Sequence, residues 1–226
     1  MSMAKSELKK KAAFLYAAGL LVVGAALFLP AGTLDYWQAW AYIAILFVPM
    51  LFVGLYFLKN DPEFLERRFK TKEREARQEL IQKVGIPIFI IGFLLPGLDH
   101  RFGWSSVPFE FVVLADVVVF LSYALIFLAF RENSYAGRTV RVERGQKVVS
   151  TGPYSVIRHP MYVGVLFLYL ATPIALGSYV AVLPFLLLIP MLVFRILNEE
   201  EVLRRGLPGY KEYCKKVRYR LIPFIW

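Results

Sequence analysis

The chain has 226 residues, 58% of them hydrophobic, with a mean hydropathy of +0.54 and a formal charge of +10. A soluble domain is about 45–50% apolar, so this composition excludes an ordinary water-soluble fold. The basic residues lie between apolar runs, which suits a membrane surface better than the single basic face of a nucleic-acid binder, and no nucleic acid is expected as a partner. One cysteine, Cys214, excludes an internal disulfide. No cleavable signal peptide is expected, because the first apolar run is too long for an h-region and lacks a small-residue cleavage site.

Six apolar segments follow in chain order, at Ala12–Leu29, Trp37–Leu58, Val84–Leu98, Phe109–Phe130, Met161–Leu176 and Tyr179–Leu197. A helix crosses the hydrocarbon core with about 20 apolar residues. The first, second and fourth meet that length, and the third reaches it if Leu80 and Ile81 extend it. The last two are divided only by Gly177 and Ser178 and interrupted by Pro173, Pro184 and Pro190, a proline-broken helical hairpin that spans the bilayer or enters it part way. Between the second and third segments, residues 59–83 read as an amphipathic interfacial helix, with Phe64, Leu65 and Phe69 among Arg67, Arg68 and Lys70. The expected fold is an all-α polytopic membrane protein of five to six transmembrane segments. Residues 1–130 would form the N-terminal helices, and residues 131–226 a polar loop, the hairpin and a basic tail around a cytoplasmic pocket.

Of the 27 Lys and Arg, all but Arg101 fall in the N-terminal tail, the second loop, the fourth loop or the C-terminal end. The positive-inside rule then predicts an integral multi-pass protein with both termini in the cytoplasm. Substantial polar segments occur only on that side, so chemistry is expected there.

The densest signal is Thr151-Gly152-Pro153-Tyr154-Ser155-Val156-Ile157-Arg158-His159-Pro160-Met161-Tyr162-Val163-Gly164, where the polar loop enters the hairpin. Pro160 suits a first helical turn, whose free amides favour an anionic group, and Arg158 and His159 add donors for carboxylate or phosphate. Arg, His and Tyr are also ordinary interfacial anchors. Past the hairpin, Glu199-Glu200-Glu201 stand in a basic tail, able to pair with Arg158, to attract a cationic ligand, or to form a solvated face with pairs such as Glu200 to Arg204. Tyr210 and Tyr213 share a helical face and could wall a pocket for an adenine or a sulfonium, or belong to an aromatic belt.

Taken together, Arg158-His159-Pro160-x-Tyr162-x-Gly164, the hairpin, Glu199-Glu200-x-x-Leu203, Tyr210-x-x-Tyr213 and Arg220-x-x-Pro223 resemble the isoprenylcysteine carboxyl methyltransferase family, a superfamily of membrane methyltransferases with phospholipid methyltransferase-like and thiol methyltransferase-like members. The resemblance covers roughly residues 131–226. It implies an S-adenosyl-L-methionine-dependent methyltransferase acting on a lipophilic or amphipathic acceptor, a carboxylate, thiol or amine, that enters from the bilayer. It implies a cofactor site of His159, Pro160, Tyr162 and Gly164, completed by Glu199, Glu200, Tyr210, Tyr213 and Arg220, with Arg158 and His159 at the reacting centre and no metal. The histidine and glutamine that precede the motif in eukaryotic carboxyl methyltransferases are missing from residues 132–140, which leaves Arg138 and Arg141 as the candidates for an anionic acceptor. In-line methyl transfer needs alignment more than acid–base groups.

Two other classes compete. NADPH-dependent sterol or steroid reductases share a related Arg-His-Pro-x-Tyr motif but carry Asn where this chain has Met161. A non-enzymatic membrane scaffold would tolerate replacement of the motif residues. Asp116, inside the fourth segment, is an intramembrane carboxylate that either functions or bonds a neighbour such as Ser122 or Tyr123. Asp99, His100, Arg101 and Trp104 are expected to form a cap on the outer side.

Overall fold

The computed structural model describes residues 3–69 and 75–226. Over these residues the chain is helical. Its helices are α1 (Lys5–Ala31), α2 (Trp37–Asn60), α3 (Pro62–Arg68), α4 (Ala76–Phe102) and α5 (Phe109–Glu132), then a single 310 turn (Gly152–Ser155), α6 (Pro160–Ala175), α7 (Val182–Gly206) and α8 (Tyr210–Lys216). Helices α1, α2, α4, α5 and α7 are long and apolar enough to cross a membrane, while α6, with 16 residues, is shorter. The outer faces are those of a protein dissolved in lipid: Leu21 and Leu29 on α1 are 72% and 76% exposed. The chain is therefore a polytopic α-helical membrane protein.

The expected interfacial helix over 59–83 is corrected. Helix α2 stops at Asn60 because Asp61 caps a new start, accepting from the Phe64 amide at 3.0 Å with Pro62 at the first helical position. The short α3 ends at Arg68, and from Ala76 onward the sequence already belongs to α4. Lys70, part of that expectation, lies outside the described residues, with 71–74. The third apolar segment is longer than its apolar core suggested, since α4 carries two additional polar turns that bury Gln78.

Close helix contacts are made at glycines. A methyl group on Gly164 of α6 would lie 2.6 Å from Ile126 Cγ1 and 2.7 Å from the Ser122 carbonyl of α5. One on Gly97 of α4 would fall on the Leu27 carbonyl of α1. Neither obstacle is a flexible side-chain tip alone, so backbone must move. Gly164→Ala and Gly97→Ala are each expected to destabilise by about 1–3 kcal/mol, read as earlier thermal unfolding in detergent.

The two ends of the bundle differ in chemistry. At one end Asp99, buried, accepts from the Ser105 amide at 2.7 Å, the Ser105 hydroxyl at 2.5 Å and the Ser178 hydroxyl at 2.5 Å, tying α4 to the α6–α7 turn. His100 bonds the Asp35 carbonyl at 3.0 Å and stacks on Tyr36 at 4.2 Å, so the expected cap is present. The turn itself passes through Gly177 at φ 73°, a conformation that suits glycine. At the other end the chain's start, α3, the 133–159 loop and the tail converge. The Met3 amide donates to Glu66 at 2.8 Å, Arg67 to the Ser134 carbonyl at 2.9 Å, and Arg77 pairs with Glu201 at 3.0 Å.

Candidate functional site at the loop–hairpin–tail junction

The junction begins where the loop turns into α6. Ile157 bridges Tyr219 of the tail, so the Arg158 amide donates to the Tyr219 carbonyl at 2.9 Å and the His159 amide to the Arg220 carbonyl at 3.0 Å. The Tyr162 and Val163 amides bond the His159 carbonyl. The tail is closed in turn by the Trp226 carbonyl, which accepts from Arg220 and Leu221. These amides were expected to face an anionic ligand. Instead the tail and the helix itself take them up, because the tail's extended backbone offers carbonyls in register.

Glu200 and Glu199 are neighbours on α7, pointing about 100° apart, and they do different things. Glu200 is 2% exposed. Its Oε1 accepts from Arg158 Nε at 2.6 Å and faces His159 Nε2 at 3.3 Å, and its Oε2 accepts from Arg220 Nε at 3.1 Å and from Arg204 at 3.2 Å. A carboxylate has about four acceptor positions, so the protein fills them all. Arg158 is equally engaged, donating also to the Val217 and Arg218 carbonyls at 2.8 and 2.7 Å. Arg220 packs on the Trp226 ring at 5.1 Å. Glu200, Arg158 and Arg220 thus form a clasp between hairpin and tail.

Glu199 faces a cavity, partly open to solvent, between the loop, α6, α7 and α8. Its Oε2 accepts from the Tyr162 hydroxyl at 2.6 Å, and Tyr162 accepts from Arg195 Nε at 2.9 Å. Arg195 also donates to Gln78 Oε1 at 2.8 Å and to the Arg138 carbonyl at 2.7 Å, while Gln78 donates to Asn198 at 2.7 Å. A polar relay therefore runs from α4 through α7 to the cavity. Tyr210 and Tyr213 form a tilted ring pair at 5.7 Å on the opposite wall. The Tyr213 hydroxyl donates to the Tyr154 carbonyl at 2.7 Å, whereas the buried Tyr210 hydroxyl has no hydrogen-bond partner among the described residues. Burial, reinforced by the Glu200 charge, holds the Tyr210 phenol far above its usual pKa, so it is a neutral donor.

The structure thus brings Arg158, His159, Tyr162, Glu199, Tyr210, Tyr213 and Arg141 to one cavity. It does not place Pro160, Gly164, Glu200, Arg220 or Arg138 in the wall. Pro160 starts α6, Gly164 sits against α5, and Glu200 and Arg220 stand behind the wall in the clasp. Arg138 is exposed, and Arg141 is paired with Glu143 at 2.5 Å. Sequence reasoning missed Tyr154, Gln78 and Arg195. Arg195 had a signal, since a cation inside the apolar run of α7 needs a polar partner. Asp116 is buried in α5, and its Oδ1 has no hydrogen-bond partner among the described residues.

Residues 111–208 match the phospholipid methyltransferase family. Over 105 residues, 43% of this chain, the sequence is 32% identical to a delta(14)-sterol reductase of Mus musculus. That match spans 25% of the reductase, so the chain corresponds to about a quarter of it. The family match takes in α5, the loop, α6 and α7 but stops short of Tyr210, Tyr213 and Arg220. The stretch from residue 111 to residue 208 is thus similar to the phospholipid methyltransferase family, which falls within the superfamily that the motifs resemble.

Proposed function

We propose that the chain is an integral membrane S-adenosyl-L-methionine-dependent methyltransferase acting on a lipophilic or amphipathic acceptor. The observation that carries the reading is the Tyr210 hydroxyl, a buried donor with no partner among the described residues, in the wall of a cavity that also presents Glu199 and two tyrosine faces. A buried unpaired hydroxyl is unfavourable unless a ligand satisfies it. The donor set fits the cofactor: Glu199 can take up the ammonium or ribose hydroxyls, Tyr210 and Tyr213 can flank the adenine or the sulfonium, and Arg141 stands near for the carboxylate.

When bound, S-adenosyl-L-methionine would supply a sulfonium methyl whose carbon an acceptor heteroatom attacks in line, the new bond to carbon forming as the S–C bond breaks and its electron pair leaves with sulfur as a neutral thioether. The chain's own residues align and enclose. Arg158 and His159 form the floor, fixed by Glu200. An ionised carboxylate acceptor needs no base, while a thiol or amine acceptor would find His159 as the group able to receive its proton. Met161 lines the cavity and also joins the apolar cluster of α5 and α6, which supports entry of the acceptor from the bilayer between helices, with membrane lipids as surroundings. The concentration of Lys and Arg at this end supports a cytoplasmic placement of the cavity and both termini.

The test is titration of the detergent-purified protein with S-adenosylhomocysteine, with NADPH in parallel. Saturable binding of S-adenosylhomocysteine supports the proposal. Binding of NADPH alone overturns it in favour of a reductase. Tyr210→Phe is expected to raise the melting temperature of the ligand-free protein, because the unpaired hydroxyl is gone. It should also weaken S-adenosylhomocysteine by about fivefold, as for one neutral hydrogen bond. Weaker binding without that stabilisation would mean that the hydroxyl has a protein partner.

A further inference from the structure

Arg68 lies at the end of α3, outside the family-matched stretch, yet it reaches the site. One terminal nitrogen donates to the carbonyl of Gly137, a residue of the cavity wall, at 3.1 Å. Its guanidinium covers the Phe130 ring at 4.7 Å. Below it is the apolar cluster of Phe64, Leu65, Ile126 and Phe130, joined by Met161 and Val165 of α6. Among the described residues of α3 and its cap, the acids are committed elsewhere. Asp61 and Glu63 pair with Arg67 at 3.7 and 3.4 Å, Asp61 also accepts from Ser134, and Glu66 accepts from the Met3 amide. Among the described residues no carboxylate lies within ion-pair distance of Arg68, while two further guanidiniums, of Arg138 and Arg195, lie close enough to repel it. Burial and those two charges push its pKa down to about 10, which leaves it charged at neutral pH.

A cation half-buried on an apolar floor, with one of its five donors engaged among the described residues, is a position for an anion. We propose that Arg68 is a specificity-determining residue that holds the anionic headgroup, a carboxylate or a phosphate, of the amphiphile entering the site, with its tail along the Phe130–Met161–Val165 surface. The proposal rests on the cavity being the reaction site, but its test does not depend on methyl transfer.

The experiment is native mass spectrometry of the full chain released from detergent. Decanoate, decyl phosphate and neutral monodecanoylglycerol compete in one mixture, for wild type and for Arg68→Gln, which keeps an amide donor for the Gly137 carbonyl. Wild type should retain an anionic amphiphile at least about tenfold over the glyceride, the effect of one charge-assisted contact, and the two anions show which headgroup fits better. In Arg68→Gln the preference should fall to near unity while S-adenosylhomocysteine binding stays as in wild type. Equal retention of all three by wild type, or an unchanged preference in Arg68→Gln, overturns the assignment. Anion preference that depends on Arg68 in a protein that fails to bind S-adenosylhomocysteine upholds this site and refutes the methyltransferase reading instead.

Discussion

Glu200→Ala is expected to destabilise the protein by about 3–5 kcal/mol, the cost of stranding buried charges whose counter-ion is removed. The substitution leaves Arg158 deep in the junction with carbonyl partners only, frees Arg220, and deprives the His159 ring of its contact. Thermal unfolding in detergent reads the loss directly. S-adenosylhomocysteine binding should disappear with it, because Arg158 and His159 no longer hold the cavity floor. Glu200→Gln keeps the shape and two polar atoms but not the charge, so it should fall between wild type and Glu200→Ala. If Glu200→Ala unfolded at the wild-type temperature and lost only binding, the carboxylate would be a ligand contact and not a clasp.

The adjacent residue should behave in the opposite way. Glu199→Ala removes a carboxylate from the cavity wall, where Tyr162 is the partner donating to it. Tyr162 keeps its contact with Arg195, so little folding energy is at stake. A bond between a charged carboxylate and a ligand is worth about 1.5–3 kcal/mol, and affinity for S-adenosylhomocysteine should accordingly drop about tenfold to a hundredfold in titration, with the melting temperature within a few degrees of wild type. Wild-type affinity in Glu199→Ala would remove this carboxylate from the site. The contrast between two neighbouring glutamates is the sharper test, since any general disturbance of the α7 end would affect both alike.

The helices were legible because lipid imposes one rule on every spanning segment. Trp37–Leu58 and Phe109–Phe130 lie wholly within α2 (Trp37–Asn60) and α5 (Phe109–Glu132). The rule fails where a helix leaves the hydrocarbon, so hydropathy could not see that α4 begins at Ala76 or that Asp61 breaks the chain before Pro62. In the site, the motif residues Arg158, His159, Tyr162, Glu199, Tyr210 and Tyr213 line one cavity. Their division of labour was hidden. The local sequence tells Glu199 from Glu200 only through Arg204 one turn on; the partners that make Glu200 a clasp, Arg158, His159 and Arg220, lie 20 to 42 positions away in the chain. Gln78 was invisible for the same reason: an amide in a polar turn looks solvated until Arg195 and Asn198 are placed beside it.

The pairing of Arg158 and His159 with the Tyr219 and Arg220 carbonyls has a consequence for biosynthesis. Chains are made from the N-terminus at about 5–20 residues per second, so every helix up to α7 leaves the ribosome before the tail that completes the junction. For some seconds the membrane holds an inserted bundle whose buried arginine lacks its backbone acceptors and whose cavity lacks the α8 wall. A messenger cut short within the codons for 217–226 would yield a protein with all its membrane-crossing helices that cannot assemble this centre. Quality control that inspects transmembrane insertion alone would pass it.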